Sequence, residues 1–120
     1  MNTKEIFDEA VRAGRIAGET AKVNSVTLCE FSLKRPENVK RWVLNDGLCG
    51  FAGVRVRPAN CAMANLLKRM GGYRSYENGG VYFPIHDFGQ SYVRKTACAE
   101  AFASVLRKYG IDAWAESRLD

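Results

Sequence analysis

The chain has little of what metal and cofactor chemistry requires. It holds one histidine, His86, and its four cysteines, Cys29, Cys49, Cys61 and Cys98, form no C-x-x-C pair. Zinc sites usually need such close pairs, or several histidines, to place their donors on one ion. His86-Asp87 spells the dipeptide of metal phosphohydrolases, but the further histidines of those sites are missing. No metal site of a common kind is therefore expected. The glycines Gly47, Gly50 and Gly53 fit neither a dinucleotide fingerprint nor a phosphate-binding loop, and no G-K-[ST] occurs. Asp46, Asp87, Asp112 and Glu116 are scattered, with no spacing that suggests shared acid–base work. Nothing calls for a cofactor.

Long apolar runs are absent too. None approaches the ~20 residues that a helix needs to cross a bilayer, and the first residues lack the apolar core of a signal peptide. A cytoplasmic protein without membrane association is expected. Cys61 and Cys98 stand among alanines in predicted helices, where a reduced thiol acts as a small buried hydrophobe. A Cys-His nucleophile using His86 remains formally open as the weakest functional class.

What is present is the composition of an ordinary globular domain. The 120 residues are 47% apolar and 26% charged, enough for a single domain spanning 1–120 with its own core. The net charge of +5 is unevenly spread. Residues 31–75 carry nine basic groups, Lys34, Arg35, Lys40, Arg41, Arg55, Arg57, Lys68, Arg69 and Arg74, against Glu37 and Asp46. The flanking segments are each slightly acidic. Excess positive charge confined to the middle third is the footprint of a surface that meets phosphate or an acidic protein. An ordinary solvated face is the bland alternative.

Apolar periodicity predicts a helix over 3–20, capped by Asn2 or Thr3, with Glu5, Asp8 and Glu9 complementing its positive end. Ala10, Gly14 and Gly18 form a stripe of small residues on it, suited to close packing within the chain or, less simply, to a homodimer. An α+β core over about 39–120 follows. Segments 39–44 and 51–57 read as two strands joined into a hairpin by the turn-forming run 45–50. A helix is predicted over 61–70, a strand over 81–85, a long helix over 92–109 and a short strand over 111–115. In the long helix Val93, Ala97, Ala101 and Val105, with Phe102, Leu106 and Tyr109, are taken as the buried side. The order of elements predicts a small, largely antiparallel sheet of about four strands with two to three helices on one face.

Arg55 and Arg57 alternate with Val54 and Val56, so both guanidinium groups should leave the core-facing side of their strand together. The candidate surface joins them to Lys68 and Arg69, at the end of the next helix, and to Tyr73, Arg74 and Tyr76 just beyond it. Arginines beside exposed tyrosines suit both base stacking and protein interfaces. Reversing the charges of Arg55 and Arg57 together is expected to leave the fold intact and to abolish partner binding.

Three stretches carry a resemblance. Leu48-Cys49-Gly50-Phe51-Ala52-Gly53-Val54-Arg55-Val56-Arg57-Pro58, Gly79-Gly80-Val81 and Asp87-Phe88-Gly89-Gln90-Ser91 resemble a family of short uncharacterised proteins of bacteriophages, prophages and other mobile elements. Similarity continues through Arg94-Lys95, Gly110-Ile111 and Ser117-Arg118-Leu119-Asp120. The chain departs from the family pattern at Gly53, where tryptophan is usual, and at Phe83-Pro84. The resemblance implies a biological setting and no mechanism. The expected function is a non-catalytic accessory protein that binds nucleic acid, or a protein that handles it, through the basic surface. The alternative is an anti-defence inhibitor of the anti-CRISPR kind, occupying a host protein complex.

Overall fold

The computed structural model describes residues 2–21, 26–31, 39–44, 50–75, 79–89 and 91–119. In chain order these form α1 (Thr3–Thr20), β1 (Val26–Phe31), β2 (Val39–Leu44), β3 (Gly50–Arg57), α2 (Ala62–Arg69), β4 (Tyr73–Arg74), β5 (Val81–Pro84), α3 (Tyr92–Lys108) and β6 (Asp112–Leu119). The architecture is α+β, with a four-stranded antiparallel sheet ordered β4-β5-β3-β6. Strand β2 does not form the expected hairpin with β3. It pairs with β1 in a separate two-stranded sheet, with Val26 opposite Leu44, while β3 takes β5 and β6 as neighbours. No helix among the described residues is long and apolar enough to cross a membrane.

The helices begin where a side chain can satisfy the free amides of the first turn. Asn2 Oδ1 accepts from Glu5 N at 2.9 Å while Asn2 Nδ2 donates to Glu5 Oε1 at 3.1 Å. Ser91 Oγ accepts from Arg94 N at 3.3 Å at the start of α3. Cys61, predicted to lie within a helix, instead caps α2, its Sγ accepting from Ala64 N at 3.4 Å. Helix α3 ends on Gly110 at φ 81°, where Ile111 N reaches back to Leu106 O at 3.1 Å, as the left-handed stop requires.

Strand β3 organises the core. Ala52, Val54 and Val56 face the helices, level with Phe83 and Val81 on β5 and Ala115 and Ala113 on β6. Met63 and Leu67 of α2 and Phe102 and Leu106 of α3 close over them. Phe7, Phe83 and Phe102 meet ring to ring, with centroids 5.6–6.2 Å apart. Pro84 fits in β5 because Ile85 N donates to Ala52 O at 2.9 Å. Strand alternation then turns the Pro84 nitrogen away from β3, beyond the end of the two-residue β4, where no ladder bond is lost.

The buried stripe of α3 is Lys95, Cys98, Ala99, Phe102, Ala103 and Leu106, not the predicted Val93-Ala97-Ala101-Val105 row. Val93 is exposed. With alanines all round this helix, the two largest apolar residues, Phe102 and Leu106, set its rotation. The small residues of α1 serve packing within the chain. A Cβ on Gly14 would lie 3.0 Å from Cys98 Sγ, and one on Gly18 would lie 2.3 Å from the Phe88 ring. With Ala10, Gly14 and Gly18 all buried, the face considered for a homodimer is taken up by the chain's own α3 and Phe88. Phe88 holds φ at 71°, in the left-handed region, with its ring seated against that glycine.

Two substitutions test this packing. Gly18→Ala adds helix propensity of about 1 kcal/mol, yet it should lower stability by about 1–2 kcal/mol because the Phe88 ring must move. Phe102→Ala should cost about 3–5 kcal/mol by opening a cavity between α3 and the sheet. Urea denaturation gives both; a stabilised Gly18→Ala protein would contradict the close α1–Phe88 approach.

Candidate ligand groove on the open sheet face

The sheet face turned away from the helices has an ionic and aromatic cover. Gly53 and Arg55 of β3 stand level with Pro84 and Tyr82 on β5 and with Glu116 and Trp114 on β6. The Tyr82 ring lies directly over Gly53, where a Cβ would sit 2.4 Å from Tyr82 Cζ. Beside it Arg55 grips Glu116 with two hydrogen bonds, Nε to Oε2 at 2.8 Å and Nη2 to Oε1 at 2.7 Å. Its third contact, Nη1 to Gly79 O at 3.0 Å, reaches the turn before β5. Trp114 Nε1 also donates to Glu116 Oε2, at 2.9 Å.

This arrangement fixes the charge states. The Arg55 hydrogen bonds hold the Glu116 carboxyl below the usual carboxylate value, and burial opposes them. The same pair raises the guanidinium pKa of Arg55, while burial pushes the Tyr82 phenol up. Arg55 is only 4% exposed, so its charge is committed within the fold. Arg57 lies farther along the strand, exposed, with its guanidinium carbon 4.8 Å from the Trp114 ring centroid.

These side chains wall a groove of about 1000 Å³, at the upper end of the size that takes a small-molecule or nucleotide-sized ligand. Tyr73 and Tyr82, edge to face with centroids 5.6 Å apart, stand on one side. At the other end are Phe51, Arg118, His86 and Lys95. Phe51 is level with Arg118 across the β3–β6 ladder. His86 follows Ile85, the residue bonded to Ala52, and so comes alongside Phe51. Arg118 Cζ lies 5.2 Å from the Phe51 ring centroid, and Lys95 Nζ lies 5.8 Å from it.

Of the residues singled out in the sequence, Arg55, Arg57 and Tyr73 share this face. Arg74 is exposed on β4 opposite Val81, a register that assigns it to the helix side. Lys68 and Arg69 end α2, which packs on the helix side, so the sheet separates them from Arg55 and Arg57. Tyr76 lies outside the described residues, as does Gln90. His86, weighed earlier as a partner for a thiol, is exposed at the groove. The thiol of Cys98 is instead buried beside Gly14, and burial pushes its pKa up to about 11.

Sequence reasoning missed Phe51, Lys95, Glu116 and Arg118 as parts of one site. The final strand was predicted to end at Ala115, but β6 continues to Leu119 and places Trp114, Glu116 and Arg118 on one face by alternation. Comparison with protein-family models, with curated proteins and with solved structures finds no match for this chain.

The Arg55–Glu116 pair overturns the expectation that reversing the charges of Arg55 and Arg57 leaves the fold intact. Arg55→Glu would set a buried carboxylate against Glu116 and should lower stability by several kcal/mol. Glu116→Ala should cost on the order of 2 kcal/mol, because it leaves the buried Arg55 charge with only Gly79 O, although water reaches about a third of the Glu116 side chain. The Arg55 interaction also predicts an acid dependence. Because the folded-state pKa of Glu116 is depressed, its contribution is complete above the usual value of 4.5 and is lost as pH falls through the lower folded value. Unfolding curves between pH 3 and pH 7 should therefore be shallower in pH for Glu116→Gln than for the wild type.

Proposed function

We propose that this protein is a non-catalytic accessory protein that binds single-stranded nucleic acid across the open face of its sheet. The observation that carries the reading is the combination of exposed rings with cations on that face. Tyr73 is 56% exposed and Phe51 42% exposed, and both line the groove with Arg118 and Lys95. The groove's one carboxylate among the described residues, Glu116, is neutralised by Arg55. Aromatic platforms beside positive charge suit single strands, whose unpaired bases stack on rings while phosphates meet the cations. Arg57 over Trp114 extends the same chemistry to the neighbouring edge. The setting implied by the resemblance, a phage or other mobile element acting in the bacterial cytoplasm, belongs to this proposal.

Fluorescence anisotropy with a labelled single-stranded oligonucleotide tests it. Binding should weaken linearly with log salt, and Tyr73→Ala should reduce affinity by about tenfold, the value of one lost stack. Arg118→Ala should flatten the salt slope by roughly 0.7, as loss of one single-strand phosphate contact does. No salt-dependent binding, or binding indifferent to both substitutions, would sink the reading. Recovery of one defined protein complex from nuclease-treated host lysate would favour the inhibitor alternative.

A further inference from the structure

We infer that the Phe51 end of the groove is a seat for one phosphate group, with Lys95 and Arg118 supplying the charge. Lys95 is 6% exposed, on the buried stripe of α3, and lines the groove. The other buried cation among the described residues, Arg55 on β3, has a carboxylate and a carbonyl to satisfy it. Lys95 has neither. Among the described residues no hydrogen bond or ion pair reaches its Nζ, and its one cation contact is the Phe51 ring at 5.8 Å.

Lys95 buries its stem and opens its end on the groove, where a cation without a counter-ion forgoes part of its hydration at some cost. A ring face compensates only part of that cost. An anion entering through the groove supplies the partner that the described residues do not. Arg118 is a second cation at the same ring, its Cζ 5.2 Å from the centroid, and His86 lines the groove with an imidazole able to donate a hydrogen bond. Glu116 is two residues from Arg118, but Arg55 and Trp114 occupy its oxygens. Two cations at an aromatic ring, with His86 lining the same groove, match a phosphate with its base or sugar against Phe51.

The seat rests on the nucleic-acid reading only for the source of the phosphate, which is either a phosphodiester within a strand or the terminal group of a free nucleotide. Thermal unfolding at fixed ionic strength in chloride and in inorganic phosphate tests the seat itself. Phosphate should raise the midpoint of the wild type but not that of Lys95→Met. Arg118→Ala changes an exposed residue and provides a variant expected to fold regardless; its phosphate response should be reduced several-fold. Titrating wild-type protein with phosphate should shift the Lys95 side-chain NMR resonances saturably.

Equal stabilisation of wild type and Arg118→Ala by phosphate, or Lys95 resonances indifferent to it, would overturn the proposal. Adenosine monophosphate and an unphosphorylated single-stranded oligonucleotide separate the sources. Oligonucleotide affinity that falls on the order of tenfold in Lys95→Met supports a strand phosphodiester, and the same loss confined to the mononucleotide supports a terminal phosphate. A wild type that responds to phosphate through Lys95 yet binds no oligonucleotide keeps the seat and removes the nucleic-acid reading. One that binds oligonucleotide equally well with and without Lys95, and shows no Lys95 response to phosphate, removes the seat and keeps that reading.

Discussion

Burial of β3 on both faces is the constraint from which the rest follows. Five consecutive residues, Ala52 to Val56, are withdrawn from water, although helices cover only one side of the sheet. On that side the solution is apolar, with Val54 and Val56 beneath Phe102, Leu67 and Leu106. On the other side it is a ring, a guanidinium and a carboxylate, laid flat by the absence of a side chain at Gly53. Arg55 bonds at once to β6 and to the turn leading into β5, so it ties the central strand to both neighbours. An apolar cover there would demand a second helical layer. The ionic cover leaves the face tolerant of water and open to a ligand.

The same constraint explains what the sequence could disclose. Helix boundaries were legible because caps and stops are local: Asn2, Ser91 and Gly110 act within one turn of their positions. Strand alternation around Val54 and Val56 was legible for the same reason, and it put Arg55 and Arg57 on one side of β3. Pairing was not local. The turn-rich run 45–50 suggested a hairpin, yet β3 finds its partners more than twenty residues downstream, where Val81, Ala113 and Ala115 match its apolar face. Exposure of a charged residue was equally non-local. Arg55 read as a surface cation until Glu116, sixty-one residues away, was placed opposite it.

Lys95 shows where closer reading of the pattern had something to offer. It precedes Cys98, Ala99 and Phe102 by three, four and seven residues, the spacing of a shared helix face, so a cation lay on the stripe that Phe102 and Leu106 select. Alanines around the helix made a second stripe equally plausible and hid that conflict. A lysine on a core-facing stripe is a local inconsistency of the kind that functional sites introduce.

The positive charges of this chain consequently divide by what satisfies them, and the division matters more than the net total. Lys4 with Asp8, and Lys108 with Glu9, are exposed pairs at 2.8 Å and 3.4 Å and contribute little to the fold. Arg55 is structural, since its removal from water is matched by a carboxylate held in place by Trp114. Lys68 and Arg69 end a helix, where their charge favours the carbonyl terminus of α2. Of the basic groups of the middle third, Arg55 thus serves the fold, and Lys68 and Arg69 a helix end. At the Phe51 end of the groove the charge for a ligand comes from Lys95 and Arg118, in a segment whose total charge is slightly negative. A surface that recruits an anion by local geometry needs only a few uncompensated cations in one cavity, and a regional sum averages them away.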